Sequence, residues 1–220
     1  MTVRHVLLLA ALLAPSAAAA AGAIDLRVPH GGGYSVPVTS LKEARFRATV
    51  RQQYDFSCGS AAVATLLTYQ YGVPVDEAEV FRYMYATGDQ ARIRAEGFSL
   101  LDMRRYLASR GFTADGFQEP LDRLLEQGLP AIVLIDDRGY RHFVVVRGLR
   151  QGRVLVADPA RGTRAIARRD FDRMWDNRLL FVVHNRRELA SFNQARDWDA
   201  APAAPLHGHP AAGAGGRRDP

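Results

Sequence analysis

The stretch Gln52-Gln-Tyr-Asp-Phe-Ser-Cys58-Gly-Ser-Ala-Ala62 holds the only cysteine of the 220-residue chain, and the fold is read outward from it. Ser57 is a residue type that caps helices, and the largely apolar, proline-free run from Cys58 through Leu66 and Leu67 to Gly72 predicts a helix that begins at the cysteine. Gly59, Ser60, Ala61, Ala62 and Ala64 are small, so this helix can pack closely on its neighbours. A thiol there faces unpaired backbone N–H groups and the positive end of the helix dipole, which favour a thiolate and predict a lowered pKa. Taken alone, such a cysteine also reads as a small core hydrophobe. Six positions earlier, the Gln52 amide can join the Cys58 N–H as donors to an oxyanion, and Gln53 beside it offers the same chemistry.

C-terminal to this block the helical signals continue. Asp76 with Glu79 three residues on has capping-box spacing and opens a helix that puts Val80, Phe81, Met84 and Tyr85 on one face before Gly88. A further helix is predicted from Ser99 to Gly111, and a short one from Pro120 through Leu121, Leu124 and Leu125 to Gly128. The period then changes. Residues 131–135, 142–149, 154–157 and 179–183 are short β-branched runs separated by glycine and charged turns, the pattern of one antiparallel sheet. Helices first and strands second define an α+β fold class with N-terminal helices packed on an antiparallel sheet.

The ends read differently. Arg4, the apolar run Val6 to Ala14 and the small residues from Pro15 to Ala23 form a signal-peptide pattern over residues 1–23, with cleavage after Ala21 or Ala23. That run is about half the length that spans a bilayer, so no transmembrane anchor is expected. Export to the periplasm is the expectation, with full secretion second. Residues 24–40, with Gly31, Gly32 and Gly33, read as an extended lead-in, residues 41–188 as the domain, and 189–220 as a disordered tail. Among 29 basic residues Lys42 is the sole lysine, and the net charge of +6 is scattered rather than striped with aromatics, which argues against a nucleic-acid partner. His207 and His209 in the tail make a poor metal site, His184 reads as a strand-end residue with no neighbouring acid, and Asp136 with Asp137 as a turn.

Exported chains usually carry cysteines in pairs, so an unpaired one invites a reactive role. His142 opens the run His-Phe-Val-Val-Val, and the next run ends at Asp158-Pro159. The two positions are symmetric about residue 150, so a hairpin turning at 150–152 brings imidazole and carboxylate to the same end. A carboxylate on one ring nitrogen fixes the tautomer and leaves the other nitrogen for a thiol. A strand-end histidine beside a turn-forming Asp-Pro is the structural alternative for either residue alone. No metal or cofactor is needed for this chemistry.

These two blocks resemble the bacteriocin-processing double-glycine cysteine peptidases, family C-39. The resemblance rests on Gln52 to Ala62 and on the His142-Phe-Val-Val-Val and Val154-Leu-Val-Ala-Asp158-Pro159 pair, and it covers most of residues 41–184. It implies a papain-like fold, Cys58, His142 and Asp158 as the catalytic residues, and Gln52, at the family's offset, as the oxyanion-hole residue. It also implies a peptide or protein substrate cut after Gly-Gly. With a signal peptide and no fused transporter, the chain is similar to the stand-alone exported branch, including the peptidase of Fap-type functional-amyloid secretion systems, which brings a secretion-system component in as a partner. Gly97-Phe-Ser-Leu-Leu-Asp-Met103 resembles a motif of that branch, though a capped helix start explains it equally well. The rivals are a transglutaminase-like enzyme, a cell-wall amidopeptidase, and a non-catalytic peptide-binding accessory. The amidopeptidases place a second histidine where Asp158 stands, and an accessory would lack a member of the set.

Overall fold

A block of small residues followed by larger ones along Cys58 to Gln70 forms the helix that organises the domain. In the computed structural model, which describes residues 22–28, 32–38, 40–199 and 201, the chain divides into units at residues 1–40 and 41–220. Most of the signal-peptide segment and most of the expected tail, with His207 and His209, lie outside the described residues. In the first unit, β1 (Gly22–Val28) and β2 (Gly32–Val38) pair as an antiparallel hairpin, so the extended lead-in folds back on itself.

The second unit begins with α1 (Leu41–Arg45) and reaches α2 (Cys58–Thr65), which continues as a π-helical turn over Leu66–Gln70. All eight residues of α2 are buried, as its small side chains allow. Gly59 shows why: a Cβ there would meet Met103 Cε at 2.8 Å and Phe98 Cβ at 2.9 Å. Ser57 does not cap α2. Its backbone is not extended, so its hydroxyl turns back to donate to Tyr54 O at 3.0 Å and accept from Tyr54 N at 3.1 Å. Helix α3 (Glu77–Thr87) is capped by Asp76, whose side chain accepts from Ala78 N at 3.3 Å, but Glu79 completes no box. It reaches instead to Tyr106 Oη at 3.0 Å, a tertiary bond in place of a local one. The reciprocal capping box forms at Ser99 and Asp102, opening α5 (Leu100–Ser109). Between these lies α4 (Gln90–Glu96), which the sequence pattern missed because Ile93 is its one buried residue.

The sheet has six antiparallel strands in the order β3-β8-β4-β5-β6-β7. They are β3 (Ala114–Gln118), β4 (Ala131–Asp137), β5 (Tyr140–Arg150), β6 (Arg153–Asp158), β7 (Gly162–Ala167) and β8 (Leu179–Val183). The two unforeseen strands, β3 and β7, are the edges, where half-exposed residues blur the alternation that marks a strand. One face, with Ile132, Phe143, Val145 and Ala157, packs with the apolar residues of α2, α3 and α5. The other, with Val133, Val144, Val146 and Val156, is covered by α6 (Asp122–Gln127), by α7 (Arg168–Met174) and by Trp175. Helices therefore lie on both faces, with the cysteine-bearing helix on one.

Beyond Glu188 the chain stays packed as far as α8 (Ala195–Asp199), against the expectation of a disordered segment there. Phe192 enters the second core, Ser191 N donates to Gln70 O at 2.7 Å, and Asn193 N donates to Arg147 O at 2.8 Å. Asp197 pairs with the fully buried Arg147.

Candidate active site

The hairpin joining β5 to β6 turns at Gln151 and Gly152, both with positive φ, as a two-residue turn of that kind requires. Its register is not the symmetric one expected. Arg147 forms a bulge between Val146 and Gly148, and the far end pairs Val145 with Ala157, so His142 and Asp158 meet diagonally rather than face to face. They meet nonetheless. His142 Nε2 lies 3.1 Å from Asp158 Oδ2, with both side chains inaccessible to solvent. Nδ1 is the nitrogen left for proton transfer, and its contact is Tyr140 O at 3.3 Å. The Tyr140 ring stacks on the imidazole with centroids 4.6 Å apart.

Asp158 is held at every corner. Its Oδ1 accepts from Ala160 N at 2.9 Å and Arg161 N at 3.1 Å, and its Oδ2 also accepts from Arg164 Nη2 at 2.7 Å. Burial pushes this carboxyl up, but the His142 hydrogen bond, the charges of His142 and Arg164 and the Ala160 N–H outweigh it and hold the group below its ordinary value.

Cys58 stands at the first position of α2 and lines a cleft of about 450 Å³ with His142, Phe143, Leu134, Arg141 and the segment 96–99. The backbone N–H groups of Phe143, one residue on from the histidine, and of Gly59 lie where they favour the ionised thiol. The expected lowering of the thiol pKa is not found. Burial pushes Cys58 up, the Asp158 charge adds to the rise, and the backbone N–H groups of Phe143, Gly59 and Cys58 only partly offset it. Desolvation of a thiolate is the larger effect here, and it favours the protonated thiol.

Gln52 is tied to the same corner through its backbone, whose N–H donates to Pro159 O at 3.1 Å. Its side-chain Nε2 donates to Tyr54 O at 3.0 Å and more distantly to Asp55 O and Tyr140 Oη, each at 3.4 Å. Gln52 is not one of the cleft-lining residues, so the structure brings Cys58, His142 and Asp158 together and leaves Gln52 beside them. Ser99 and Asp102 cap α5, the helix start the sequence allowed there, and Gly97, Phe98 and Ser99 line the cleft. His184 has an acid after all: Asp115 Oδ2, on the unforeseen β3, lies 2.8 Å from its Nε2. Asp136 makes the expected turn, accepting from Gly139 N at 2.6 Å, but Asp137 is buried and holds Arg164 and Arg161. Arg164 and Asp137 were missed because the contact between them is set by the pairing of β6 with β7, which the sequence did not reveal.

A thiol at the head of a buried helix, facing a histidine and a buried aspartate on an antiparallel sheet, is the architecture of a papain-like cysteine peptidase. Comparison with known proteins narrows the class. The model of the Peptidase C39 family matches residues 47–187, and the chain belongs to that family. A curated relative from Pseudomonas aeruginosa, the probable functional amyloid protease FapD, is 43% identical over 156 residues, which are 71% of this chain and 69% of that protein. Among solved structures, the peptidase domain of Streptococcus ComA, a bi-functional ABC transporter involved in quorum sensing, superimposes with a TM-score of 0.51 at 20% identity, over 62% of this chain and 97% of that one. A double glycine motif protease from an AMS/PCAT transporter, solved with its leader peptide, gives 0.50 at 22% identity, over 62% and 91%. These two likenesses establish the fold. Among the described residues no helix is long and apolar enough to cross a membrane.

Proposed function

We propose that this cysteine peptidase is exported, acts in the periplasm, and cuts a peptide or protein after a Gly-Gly pair, with Cys58 as nucleophile, His142 as acid and base, and Asp158 as its orienting carboxylate. The observation that carries the reading is that Cys58 and His142 line one cleft while Asp158 occupies the far ring nitrogen at 3.1 Å. His142 Nδ1 takes the thiol proton as sulfur attacks the substrate carbonyl. The negative oxygen that develops is met by the Cys58 N–H and by Gln52, which exchanges its two 3.4 Å bonds for it. The C–N bond breaks as His142 returns the proton to the leaving amine, and a thioester remains. Water then attacks the thioester with His142 as base, releasing the carboxylic acid and restoring the thiol.

The relatives support the substrate class: one is described as a functional amyloid protease and another as a double glycine motif protease solved with a leader peptide. An amyloid subunit or a peptide handled by the same secretion system fits both. The test is mass spectrometry of candidate exported peptides co-expressed with wild type and with Cys58→Ala. A new C-terminus at Gly-Gly, absent with Cys58→Ala, is expected. Equal cleavage by both proteins would remove Cys58 from the reaction, and a Cys58-dependent cut elsewhere would overturn the Gly-Gly specificity.

A further inference from the structure

The carboxylate behind His142 is one member of a chain of four charges. Arg164 on β7 donates to Asp158 Oδ2 at 2.7 Å through Nη2 and to Asp137 Oδ2 at 3.2 Å through Nη1. Asp137, at the end of β4, also pairs with Arg161 from the turn between β6 and β7. Asp158 and Asp137 are buried and Arg164 is largely covered, so water screens these three charges weakly, whereas Arg161 is exposed and acts mainly on Asp137. Two carboxylates and two guanidiniums sum to zero. Behind the imidazole, then, lies a formally neutral, ion-paired cluster rather than a bare anion, with Arg164 its one covered cation.

That balance bears on the proton transfer. A lone buried carboxylate would stabilise a protonated His142, but the same negative charge raises the cost of ionising Cys58, whose thiol already feels Asp158 in that sense. Other charged or titratable groups face the pair: Tyr140 over the ring, Arg141 from β5, and the ion-paired Arg92 and Glu96 from α4 along the cleft. Arg92, Glu96 and Arg141 are solvent-exposed, where screening is strong, whereas Arg164 touches the carboxylate itself.

Resting on the assignment of Cys58, His142 and Asp158 made above, we propose that Arg164 is a positioning residue of the active site. Anchored by Asp137, its guanidinium fixes the Asp158 carboxylate beneath His142 and cancels its charge, so the proton passes from Cys58 to His142 against a neutral background. The backbone bonds from Ala160 and Arg161 anchor Oδ1, so Asp158 keeps part of its support when the Arg164 contact to Oδ2 is removed.

The experiment is the pH dependence of Cys58 alkylation by iodoacetamide, read by mass spectrometry on the full chain; a single cysteine makes the signal unambiguous. Arg164→Gln keeps a hydrogen-bond donor and removes the charge. Its alkylation midpoint is expected to rise by about one pH unit, the scale of one unit charge several ångströms away in a partly buried site. Arg164→Lys should return the midpoint to the wild-type value, a rescue that a purely structural role would not give. Asp137→Asn leaves the cluster net positive and should move the midpoint down, which keeps the question open to test should Arg164→Gln fail to fold. A folded Arg164→Gln with the wild-type midpoint, or an Asp137→Asn midpoint that stays put or rises, overturns the proposal. His142→Ala separates the two levels of argument: if it leaves the wild-type profile untouched, the assignment of the catalytic pair fails, whereas a profile that depends on His142 and ignores Arg164 sinks only the role given to Arg164.

Discussion

Replacing Asp197 by asparagine tests whether the segment after Glu188 belongs to the folded domain. Arg147, the bulge residue of β5, is fully buried; its guanidinium donates to Ala48 O at 2.5 Å and to Asp197 from α8, while its Nε has no partner among the described residues. Burial pushes that guanidinium down and the Asp197 charge restores part of the loss, so the arginine depends on its partner. Asp197→Asn keeps the shape and removes the charge, stranding a cation in the interior. Breaking a buried pair in this way costs about 3–5 kcal/mol. For a domain of this size each kcal/mol lowers Tm by about 2–4 °C, so a fall of about 6–20 °C is expected in thermal denaturation at neutral pH. Arg147→Met combined with Asp197→Leu should recover most of the loss, because an apolar pair of similar volume needs no compensation. The two positions must then be strongly non-additive. A single variant within about 1 kcal/mol of wild type, the range of an exposed ion pair, would refute the reasoning and detach α8 from the fold.

Gln52→Ala should lower kcat by about 10²-fold with the fold intact, the scale for one oxyanion donor, and an unchanged rate on a cleavable peptide would move that role elsewhere. Gly59→Ala drives a methyl to within 3 Å of Met103 Cε and Phe98 Cβ, and overpacking of that kind costs about 1–3 kcal/mol, offset by up to about 1 kcal/mol of helix propensity. Because Phe98 lines the cleft, KM should change along with stability, and a variant more stable than wild type would show that the contact relaxes freely. For Asp158, whose carboxyl is held below its ordinary value in the folded state, linkage fixes the sign. The unfolded chain binds the proton first, so the contribution is complete above about pH 4 and is lost as pH falls through the folded value. Asp158→Asn should therefore flatten the acid limb of the stability curve measured by urea denaturation, and an unaltered limb would assign it to other groups.

Most of the candidate site was legible because its members announce themselves locally. Cys58 heads a run of small residues, and His142 and Asp158 end two β-branched runs around one glycine turn. What local pattern could not supply was the environment. The thiol pKa follows from how deeply α2 is buried, which depends on Phe98, Met103 and Phe143, all distant in sequence, and here burial outweighs the helix terminus. The diagonal meeting of His142 and Asp158 follows from the bulge at Arg147, whose stabilising partner Asp197 lies 50 positions away. Edge strands and single-contact helices stayed hidden for a related reason: Ala114 is the one buried residue of β3, and Ile93 that of α4. An element that buries one side chain carries no period to read.

The position of the cleft follows from where β6 stops. The β5–β6 ladder ends at the Val145–Ala157 pair, because Pro159 and the turn that follows carry the chain away into β7. Beyond that point β5 continues to Tyr140, paired with β4 on one side and with no β6 strand on the other. The head of α2 lies against this open flank of the strand, where Cys58 lines the cleft with His142 and Phe143. The same departure of the chain aims Asp158 inward under His142 and leaves Pro159 O to accept from Gln52 N, anchoring the loop that leads into Cys58. One strand ending therefore bears on the placement of Cys58, His142, Asp158 and Gln52. A substitution that extended the ladder past Ala157 would be expected to disturb all four before it disturbed the core.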